Sequence, residues 1–437
     1  MMDADRRPHT LERLRAGQLN GIKRLDLSCG LLEFPVEIFD LADTLEILNL
    51  SGNALRNLPA DLYRLQKLRV LFCSENQFTE LPPCIGHCSQ LQIIGFKANQ
   101  IRHIPAQALP PLLRWLILTD NCIETLPEAI GDCGALQKLM LAGNQLHTLP
   151  ASLARCTQLE LVRISANQLT ALPDWLLKLP ALAWLAYAGN PLPTYHADTP
   201  IRQIIWSHLA VQQLLGEGAS GVIQQALWRA PEQLETLVAV KLYKGSITSD
   251  GSPLNEMAAC IAAGSHPNLI GVEGQIAEHP SDQTGLVMQL IAPHFENLAG
   301  PPSLESCTRD VYPLNTVFTL ETALRLARGI ASAAEHLNAS HLSHGDLYAH
   351  NILFSQDGDC LLGDFGAASF HPTGQTEQPA LLERIEVRAF GILLDELTKR
   401  CGSREVAGLN ALQHKCTQPD VLARPSFAEV NRVLREL

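Results

Sequence analysis

A short motif that returns at a period of roughly 23 residues dominates the first half of the chain. Its core is an apolar residue, a second apolar residue two positions later and an asparagine three positions after that, as in Leu48-x-Leu50-x-x-Asn53. The motif asparagines stand at nearly equal intervals and are Asn53, Asn76, Asn99, Asn121, Asn144, Asn167 and Asn190. A divergent copy, Leu25-x-Leu27-x-x-Gly30, lies one period before the first of them, which makes eight copies. A unit this short cannot bury an apolar face alone, so the copies must stack on one another.

Each copy is predicted to form one short strand with its two apolar side chains directed inward. The asparagine side chain should be buried and hydrogen-bonded to neighbouring backbone, because an unpaired buried amide costs stability. Six copies have a proline six positions after the asparagine: Pro59, Pro82, Pro105, Pro127, Pro150 and Pro173. This pattern resembles the leucine-rich repeat in its short Leu-Pro-containing form, and the resemblance implies a solenoid with a concave, strand-lined face.

The outward side chains of these strands form two columns, because successive side chains of a strand alternate between its faces. The first column contains Arg24, Ile47, Val70, Ile93, Trp115, Lys138, Leu161 and Trp184. The second contains Asp26, Asn49, Phe72, Gly95, Ile117, Met140, Arg163 and Ala186. Contiguous exposed apolar patches mark interaction sites, although scattered exposed apolar residues are ordinary. We expect this concave face to bind a protein substrate or partner, or to dock the second half of the chain, through Phe72, Trp115, Ile117, Met140 and Trp184.

The repeats stop after Asn190, where a cluster of prolines from Pro191 to Pro200 indicates a cap and a linker. We therefore predict a repeat domain over 1–199 and a second domain over 204–437. The net charge of −12 argues against a nucleic-acid partner. No apolar run is long enough for a transmembrane helix, so no membrane span is expected. Twelve cysteines without a C-x-x-C pair predict neither a disulfide framework nor a zinc site, and they favour a reducing cytoplasm.

The stretch HLSHGDLYAHNILFSQDGDCLLGDFG, residues 341–366, contains Asp346 and Asp364, with Asn351 between them. Asp346 precedes Asn351 by five positions, and Asp364 opens a Phe-Gly turn. Phosphoryl transfer uses one carboxylate to accept the proton of the incoming hydroxyl. It uses another carboxylate and an amide oxygen to hold Mg²⁺ on the nucleotide phosphates. Such residues alone usually form turns, but two motifs at this separation are far less expected by chance.

Upstream of this stretch, a glycine-rich turn lies between two apolar segments, where backbone N–H groups can approach phosphates. Its glycines are Gly216, Gly218 and Gly221. A dinucleotide site would need a helix after the turn, whereas residues 222–228 are predicted as a strand. Lys241 ends the apolar run Val238-Ala239-Val240, and Glu256 follows fifteen positions later in a predicted helix over 254–263.

Together these motifs resemble the catalytic domain of protein kinases over roughly residues 206–437. The resemblance implies ATP and Mg²⁺ as cofactors, catalysis by Asp346 with Lys241 and Glu256, and metal binding by Asn351 and Asp364. The residues that it implies contact the nucleotide are Gly216, Gly218, Gly221, Ile223, Ala239, Lys241 and Met288. The predicted fold class is an α/β leucine-rich-repeat solenoid followed by an α+β bilobal protein-kinase-like domain. The predicted function is an ATP-dependent protein kinase of the serine/threonine type, similar to bacterial cytosolic repeat-kinases.

The sequence departs from the kinase pattern in four ways. Gly345 replaces the arginine of H-R-D, which commonly binds an activation-loop phosphate. Tyr348 stands where serine/threonine kinases usually have lysine. The activation segment, which runs from Gly366 to Glu386, is short. No A-P-E motif occurs within it, so Arg424 should have a partner other than its usual glutamate.

Two other interpretations stay open. One is a pseudokinase scaffold, in which the repeats bind and the kinase fold only signals by shape. The other is a small-molecule phosphotransferase, favoured by the sequence H-G-D and by the short activation segment. Three hydroxyl residues of that segment are candidate modification sites, and their joint replacement by alanine should change activity by less than about tenfold. They are Ser369, Thr373 and Thr376.

Overall fold

The computed structural model describes residues 10–195, 200–218, 220–229, 234–245, 247–374, 377–401 and 407–437. The chain divides into two compact units. The first contains the described residues up to Leu159 together with Asn167–Leu169, and the second contains Glu160–Ala166 and Thr170–Leu437. The predicted limits 1–199 and 204–437 separate two kinds of sequence rather than two compact units, and they stay a prediction. Residues 1–9 and 196–199 of the first predicted domain lie outside the described residues.

The first unit is a parallel stack of three-residue strands behind a short N-terminal helix, α1 (Leu11–Arg15), which Thr10 caps. The strands are β1 (Arg24–Asp26), β2 (Ile47–Asn49), β3 (Val70–Phe72), β4 (Ile93–Gly95), β5 (Trp115–Ile117) and β6 (Lys138–Met140). Equivalent residues pair across neighbouring strands, so that Leu25 lies opposite Leu48 and Leu48 opposite Leu71. The middle residue of every strand is buried, which confirms the predicted inward direction.

Each strand returns through a 3₁₀ turn, and these turns are Val36–Leu41, Leu62–Arg64, Pro83–His87, Ala106–Ala108, Glu128–Asp132 and Ala151–Arg155. The prolines precede most of these turns in an extended conformation, where a missing N–H donor has no cost. Cys88 and Cys133 follow two of the turns and are buried, and burial raises the pKa of each thiol to about 12. These cysteines are therefore packing residues.

The motif asparagines form a ladder inside the first unit. Asn121 Nδ2 donates to the carbonyl oxygens of Phe96 (2.9 Å) and Leu118 (3.0 Å), and its Oδ1 accepts from the Ile101 N–H (3.0 Å). Asn76 makes the same set of contacts two repeats earlier. Each amide therefore joins its own turn to the preceding repeat, which confirms the predicted role of this residue.

The second unit begins with the last two repeat strands, β7 (Leu161–Arg163) and β8 (Trp184–Ala186), which pair in parallel. A short helix, α2 (Asp174–Leu177), connects them. The last motif asparagine, Asn190, donates to the Ile164 carbonyl oxygen (2.9 Å), so the repeat geometry continues to this point.

A six-stranded sheet follows, in the order β10-β11-β12-β14-β13-β9. Its strands are β9 (Gln203–Ile205), β10 (Leu209–Glu217), β11 (Gly221–Trp228), β12 (Thr236–Tyr243), β13 (Val272–Ala277) and β14 (Gly285–Gln289). All neighbours are antiparallel except β9 and β13. Helix α3 (Pro253–Ala263), capped by Ser252, lies in the connection between β12 and β13. The strand after the glycine turn is thus present as predicted.

The rest of the second unit is mainly helical and is centred on α4 (Leu320–Ala339), α5 (Gln378–Thr398), α6 (Ala407–Cys416) and α7 (Phe427–Glu436). One face of α4 is buried, and it includes Ala323, Ala327, Ile330, Ala334 and Leu337. The segments around these helices also contain short strands, which are β15 (Glu296–Asn297), β16 (Leu342–Ser343), β17 (Ile352–Phe354), β18 (Cys360–Leu362) and β19 (Ser369–Phe370). Among the described residues, no helix combines the length and the apolar character needed to cross a bilayer.

Candidate active site

The loop between β16 and β17 holds Asp346 and Asn351 side by side. Asn351 lies in a 3₁₀ turn, and its Nδ2 donates to Asp346 Oδ2 (2.7 Å) and to the Asp346 carbonyl oxygen (3.0 Å). This orientation leaves the Asn351 side-chain oxygen as an acceptor for another group. The spacing seen in the sequence therefore brings a carboxylate and an amide into direct contact.

Buried polar groups support this loop from behind. The Gly345 N–H donates to Glu386 Oε1 of α5 (2.8 Å), and burial raises the pKa of Glu386 to about 7. The His344 ring donates through Nε2 to the Gly363 carbonyl oxygen (2.9 Å). On the other side of the loop, Asp310 accepts from the His350 N–H (3.0 Å) and pairs with the His350 ring (2.7 Å). The loop is thus fixed to three other segments of the unit.

Asp364 lies directly after β18 and Gly363, in a left-handed backbone conformation with φ of 56°. A non-glycine residue rarely adopts this conformation without support from its surroundings. The support comes from the Gly366 N–H, which donates to Asp364 Oδ1 (3.2 Å), and from the buried ring of Phe365, which packs against His344. The Asp364 carboxylate itself stays exposed, where it can bind a ligand.

Lys241 of β12 and Glu256 of α3 form an ion pair, which the resemblance to protein kinases implied for these two positions. The Glu256 carboxylate is 1% exposed and the lysine side chain 12%. Burial alone would lower the pKa of Lys241, but the adjacent Glu256 carboxylate outweighs it and the pKa lies above its usual value. A lysine held charged in this way suits an anionic ligand such as a phosphate.

Two adjacent cavities bring most of the predicted site residues together. One, of about 170 Å³, is lined by Lys241, Glu256, Met288, Asp364 and other residues. The second, of about 330 Å³, is mainly apolar and includes three further predicted nucleotide contacts, Gly216, Ile223 and Ala239. Gly218 and Gly221 line neither of these two cavities. Ile223 and Met288 line both cavities, so the two spaces are adjacent. An apolar slot beside a charged pocket fits a ligand with one planar and one anionic end.

The three turn glycines differ in what they do. Gly221 packs against β12, since an added Cβ would lie 2.5 Å from the Leu242 carbonyl oxygen. Gly216 and Gly218 have open space at the Cβ position. The Lys244 ammonium donates to the Gly218 carbonyl oxygen (3.1 Å) and to Glu217 (2.8 Å), so it adds a cation beside the turn that the sequence motifs did not identify. Ala219, within the turn, lies outside the described residues.

The donor set around the cavity tests whether the site suits a divalent cation. Asp364 and Asn351 offer oxygen atoms, which are the ligands that Mg²⁺ prefers. Within the described ranges, no group of three or more His, Cys, Asp or Glu side chains is placed to hold an ion. The residues therefore fit a cation that also takes oxygens from a bound phosphate, and not a cage built from protein alone.

Arg163 is the main residue that sequence analysis missed. Its guanidinium pairs with Asp346 Oδ1 and donates to the Gly345 carbonyl oxygen (2.9 Å) and to Asp250 Oδ1 (2.7 Å). Burial would raise the pKa of Asp346, but Arg163 acting together with His350, His344 and the Asn351 hydrogen bond outweighs burial, and the pKa lies below its usual value. The sequence placed Arg163 in an outward column, and a lone arginine among apolar neighbours was the only available signal. Asp250 gave no signal at all.

Trp184 does not lie on an exposed face, so the expectation that it binds a separate partner is wrong, whereas its contacts agree with the alternative that it docks on the second half of the chain. Its side chain is 1% exposed. The indole stacks on Tyr348 with ring centroids 4.0 Å apart, and its Nε1 donates to the Leu347 carbonyl oxygen (3.0 Å). The reason is that this segment of the repeats packs within the second unit. The other expected contact residues belong to the first unit and are half-buried: Phe72, Trp115, Ile117 and Met140.

The activation segment also packs more closely than its sequence indicated. Ser369 is fully buried, and its hydroxyl accepts from the N–H groups of Tyr187 (3.0 Å) and Ala188 (3.1 Å). Thr376 lies outside the described residues. Arg424 donates to three backbone carbonyl oxygens, including that of Pro180 (2.8 Å), which confirms that it has another partner.

A β-sheet part and a helical part of one unit thus meet at a charged cavity, and this architecture defines a catalytic domain of the protein-kinase class. The family model described as "Protein tyrosine and serine/threonine kinase" matches residues 209–389. The model described as "Leucine Rich Repeat" matches residues 67–88. The chain therefore contains a protein kinase domain of this family, preceded by leucine-rich repeats.

Individual kinases show the same similarity. Human ephrin type-B receptor 4 is 29% identical over 171 residues, which cover 39% of this chain and 16% of the receptor. A protein named as a probable serine/threonine-protein kinase of Dictyostelium discoideum is 26% identical over 212 residues, 45% of this chain and 12% of that protein. Chicken ephrin type-B receptor 3 is 27% identical over 192 residues, 43% of this chain and 18% of the receptor. The chain thus matches less than a fifth of the length of each of these relatives.

Proposed function

We propose that the protein is an ATP-dependent protein kinase that phosphorylates serine or threonine hydroxyls. The observation that carries this proposal is that Lys241, Glu256 and Asp364 line one cavity. The Asp346–Asn351 pair adjoins it, because the Asn351 carbonyl oxygen accepts from the N–H of Gly363 in the cavity wall (3.0 Å). A structural ion pair could occur anywhere in a protein. Phosphoryl transfer requires a charged lysine and an aspartate at the same cavity, and Lys241 and the exposed Asp364 both line this one.

The roles follow from the positions of the groups. Asp346 orients the acceptor hydroxyl and accepts its proton, while Lys241, held by Glu256, contacts the nucleotide phosphates. Gly216, Gly218 and Gly221 cover the phosphates, and the apolar slot with Ile223, Ala239 and Met288 takes the adenine. Asn351 and Asp364 hold Mg²⁺, which when bound neutralises charge on the phosphates.

We also propose that the concave face of the first unit binds a protein partner or substrate. Phe72, Trp115, Ile117 and Met140 lie on strands of one sheet in that unit and are half-buried, so part of each side chain faces outward. Aromatic and long apolar side chains that cluster in this way tend to dominate the free energy of binding.

Phosphoryl transfer from labelled ATP to a generic protein substrate and to the protein itself tests the proposed activity. Asp346→Asn should lower the rate at least about a hundredfold, as expected for loss of acid–base catalysis, while ATP binding by calorimetry is retained. Lys241→Met should weaken ATP binding and transfer together, since it removes the phosphate contact.

Two exposed residues supply matched controls, Asp357→Asn and Lys178→Met, which should leave both quantities unchanged. Wild-type rates in both site variants would disprove the assigned roles. A wild-type protein that binds ATP without transfer, or binds none, would favour a pseudokinase scaffold. Transfer to a small molecule but to no protein would favour a small-molecule phosphotransferase.

A further inference from the structure

The last two repeat strands cover the catalytic loop of the same compact unit. Arg163, at the end of β7, is 2% exposed and has all of its guanidinium nitrogens engaged. Its partner Asp346 therefore has both carboxylate oxygens occupied, Oδ1 by Arg163 and Oδ2 by the Asn351 amide. An acceptor hydroxyl that is to donate its proton to Asp346 needs one of these oxygens. A carboxylate oxygen can accept a second hydrogen bond, so the hydroxyl either displaces the Arg163 guanidinium from Oδ1 or shares that oxygen with it, and in both cases it competes with a buried, charged donor.

The neighbouring strand closes the same region from a second side. Trp184 of β8 lies flat on the Tyr348 ring and hydrogen-bonds to the Leu347 carbonyl oxygen. Both contacted residues directly follow Asp346 in the catalytic loop. The loop residues that follow the catalytic carboxylate are therefore covered by an aromatic side chain, while a cation binds the carboxylate itself.

Further contacts hold the strands in this position. Arg309 makes a two-bond contact with Glu160, at the start of β7, with distances of 2.7 and 2.8 Å. Thr308 bonds to the same carboxylate. At the far end of β8, the buried Ser369 hydroxyl accepts two backbone N–H groups. Two-bond arginine–carboxylate contacts combine strength with a defined geometry. These contacts therefore hold β7 and β8 in a defined position on the catalytic loop.

We propose that strands β7 and β8 are an intrachain inhibitory segment, which binds the chain's own catalytic loop and occupies the place of the acceptor hydroxyl on Asp346. This inference rests on the proposed kinase activity and adds its regulation. Among the described residues that line the two nucleotide cavities, none belongs to either strand. The segment thus blocks the acceptor and leaves ATP free to bind.

The test compares full-length wild type with Arg163→Met, which keeps the aliphatic stem but removes the charge. We expect phosphoryl transfer to a generic protein substrate to rise by about tenfold or more, because residue 163 no longer competes with the substrate hydroxyl for Asp346. The KM for the protein substrate should fall or the kcat rise, while the KM for ATP stays unchanged. Hydrogen exchange of the amides in 344–348 should become faster.

A second variant, Glu160→Gln, weakens the anchor to Arg309 without touching Asp346, and should change rate and exchange in the same direction. It keeps the test decisive if Arg163→Met fails to fold. The control Arg155→Met removes an exposed arginine paired with Asp132 in the first unit, and should change neither quantity.

The possible outcomes separate this proposal from the proposed function. A fall in transfer, or an unchanged rate, in folded Arg163→Met and Glu160→Gln would overturn the inhibitory segment and indicate that Arg163 supports the catalytic loop. If neither the wild type nor any variant transfers phosphate, the kinase proposal fails. Hydrogen exchange of the amides in 344–348 still tests whether β7 and β8 bind the catalytic loop. Unchanged exchange in both variants would then reject the inhibitory segment.

Discussion

Replacement of Glu386 by glutamine should make the second unit more stable above neutral pH and leave it unchanged near pH 4. Glu386 lies in α5, is 3% exposed and accepts from the Gly345 N–H in the catalytic loop. Burial raises its pKa from the ordinary 4.5 to about 7, opposed by the backbone hydrogen bonds. The folded protein therefore retains this proton over a range in which the unfolded chain has already lost it.

The magnitude follows from linkage between protonation and folding. A carboxyl group with a raised pKa in the folded state contributes stability that is fully present below pH 4.5 and is lost as pH rises through about 7. The difference of about 2.5 pKa units corresponds to about 3 kcal/mol, at about 1.4 kcal/mol per unit. A glutamine keeps an oxygen acceptor for Gly345 and has no charge to bury. The variant should therefore exceed wild type by up to about 3 kcal/mol at pH 8.

Hydrogen exchange with increasing urea at several pH values measures this difference, because peptides from α5 and from the catalytic loop report on the second unit separately from the first. Burial lowers the pKa of His344 and also that of His371, the latter to about 4. The stability of the second unit therefore also depends on pH through these two histidines. They are present in wild type and variant alike, so the difference isolates residue 386. A difference in unfolding free energy that does not change between pH 5 and 8 would refute the reasoning.

Three further substitutions test other parts of the structure. Gly345→Ala should destabilise the second unit by about 2–4 kcal/mol in the same exchange experiment, because its φ is 72° and an added Cβ would lie 2.6 Å from the Ala367 carbonyl oxygen. An unchanged free energy would contradict that geometry. Asn121→Ala should cost the first unit about 2–3 kcal/mol by urea unfolding, since it leaves buried backbone groups unpaired; the exposed Gln100→Ala is the control. Trp115→Ala should weaken capture of a protein partner at least about tenfold with the first unit still folded, and equal capture would remove the proposed binding face.

The regular features of both units could be predicted because their causes are local or periodic. The repeat asparagine recurs wherever a strand must be joined to its predecessor, and Asn121 makes the bonds that this role requires. The pairing of Lys241 with Glu256 followed from resemblance and spacing, and it is present. In the first case the interacting residues belong to one repeated motif, and in the second they occupy positions that pair in the family that the sequence resembles.

The contacts of Arg163 could not be predicted in the same way. Its partner Asp346 is 183 residues away in the chain, and nothing in the period of a strand specifies what covers its outward face. The periodicity gave the direction of the side chain correctly, and only its solvent exposure was wrong. Gly221 shows the opposite case. Its position in a glycine-rich motif predicted a phosphate contact, whereas the structure shows that a side chain here would collide with the Leu242 carbonyl oxygen.

Gly345 links the departure from H-R-D to the position of the repeat strands. An added Cβ would lie 2.7 Å from the Leu185 carbonyl oxygen of β8, closer than side-chain carbon atoms approach a backbone oxygen. Any larger residue here, arginine included, would therefore push β8 away from the catalytic loop. The cation beside the loop comes instead from Arg163, which bonds to the carbonyl oxygen of this same glycine. The absent side chain at residue 345 and the arginine at residue 163 are thus two parts of one contact, and a kinase domain with H-R-D at this position could not bind the strand in this way.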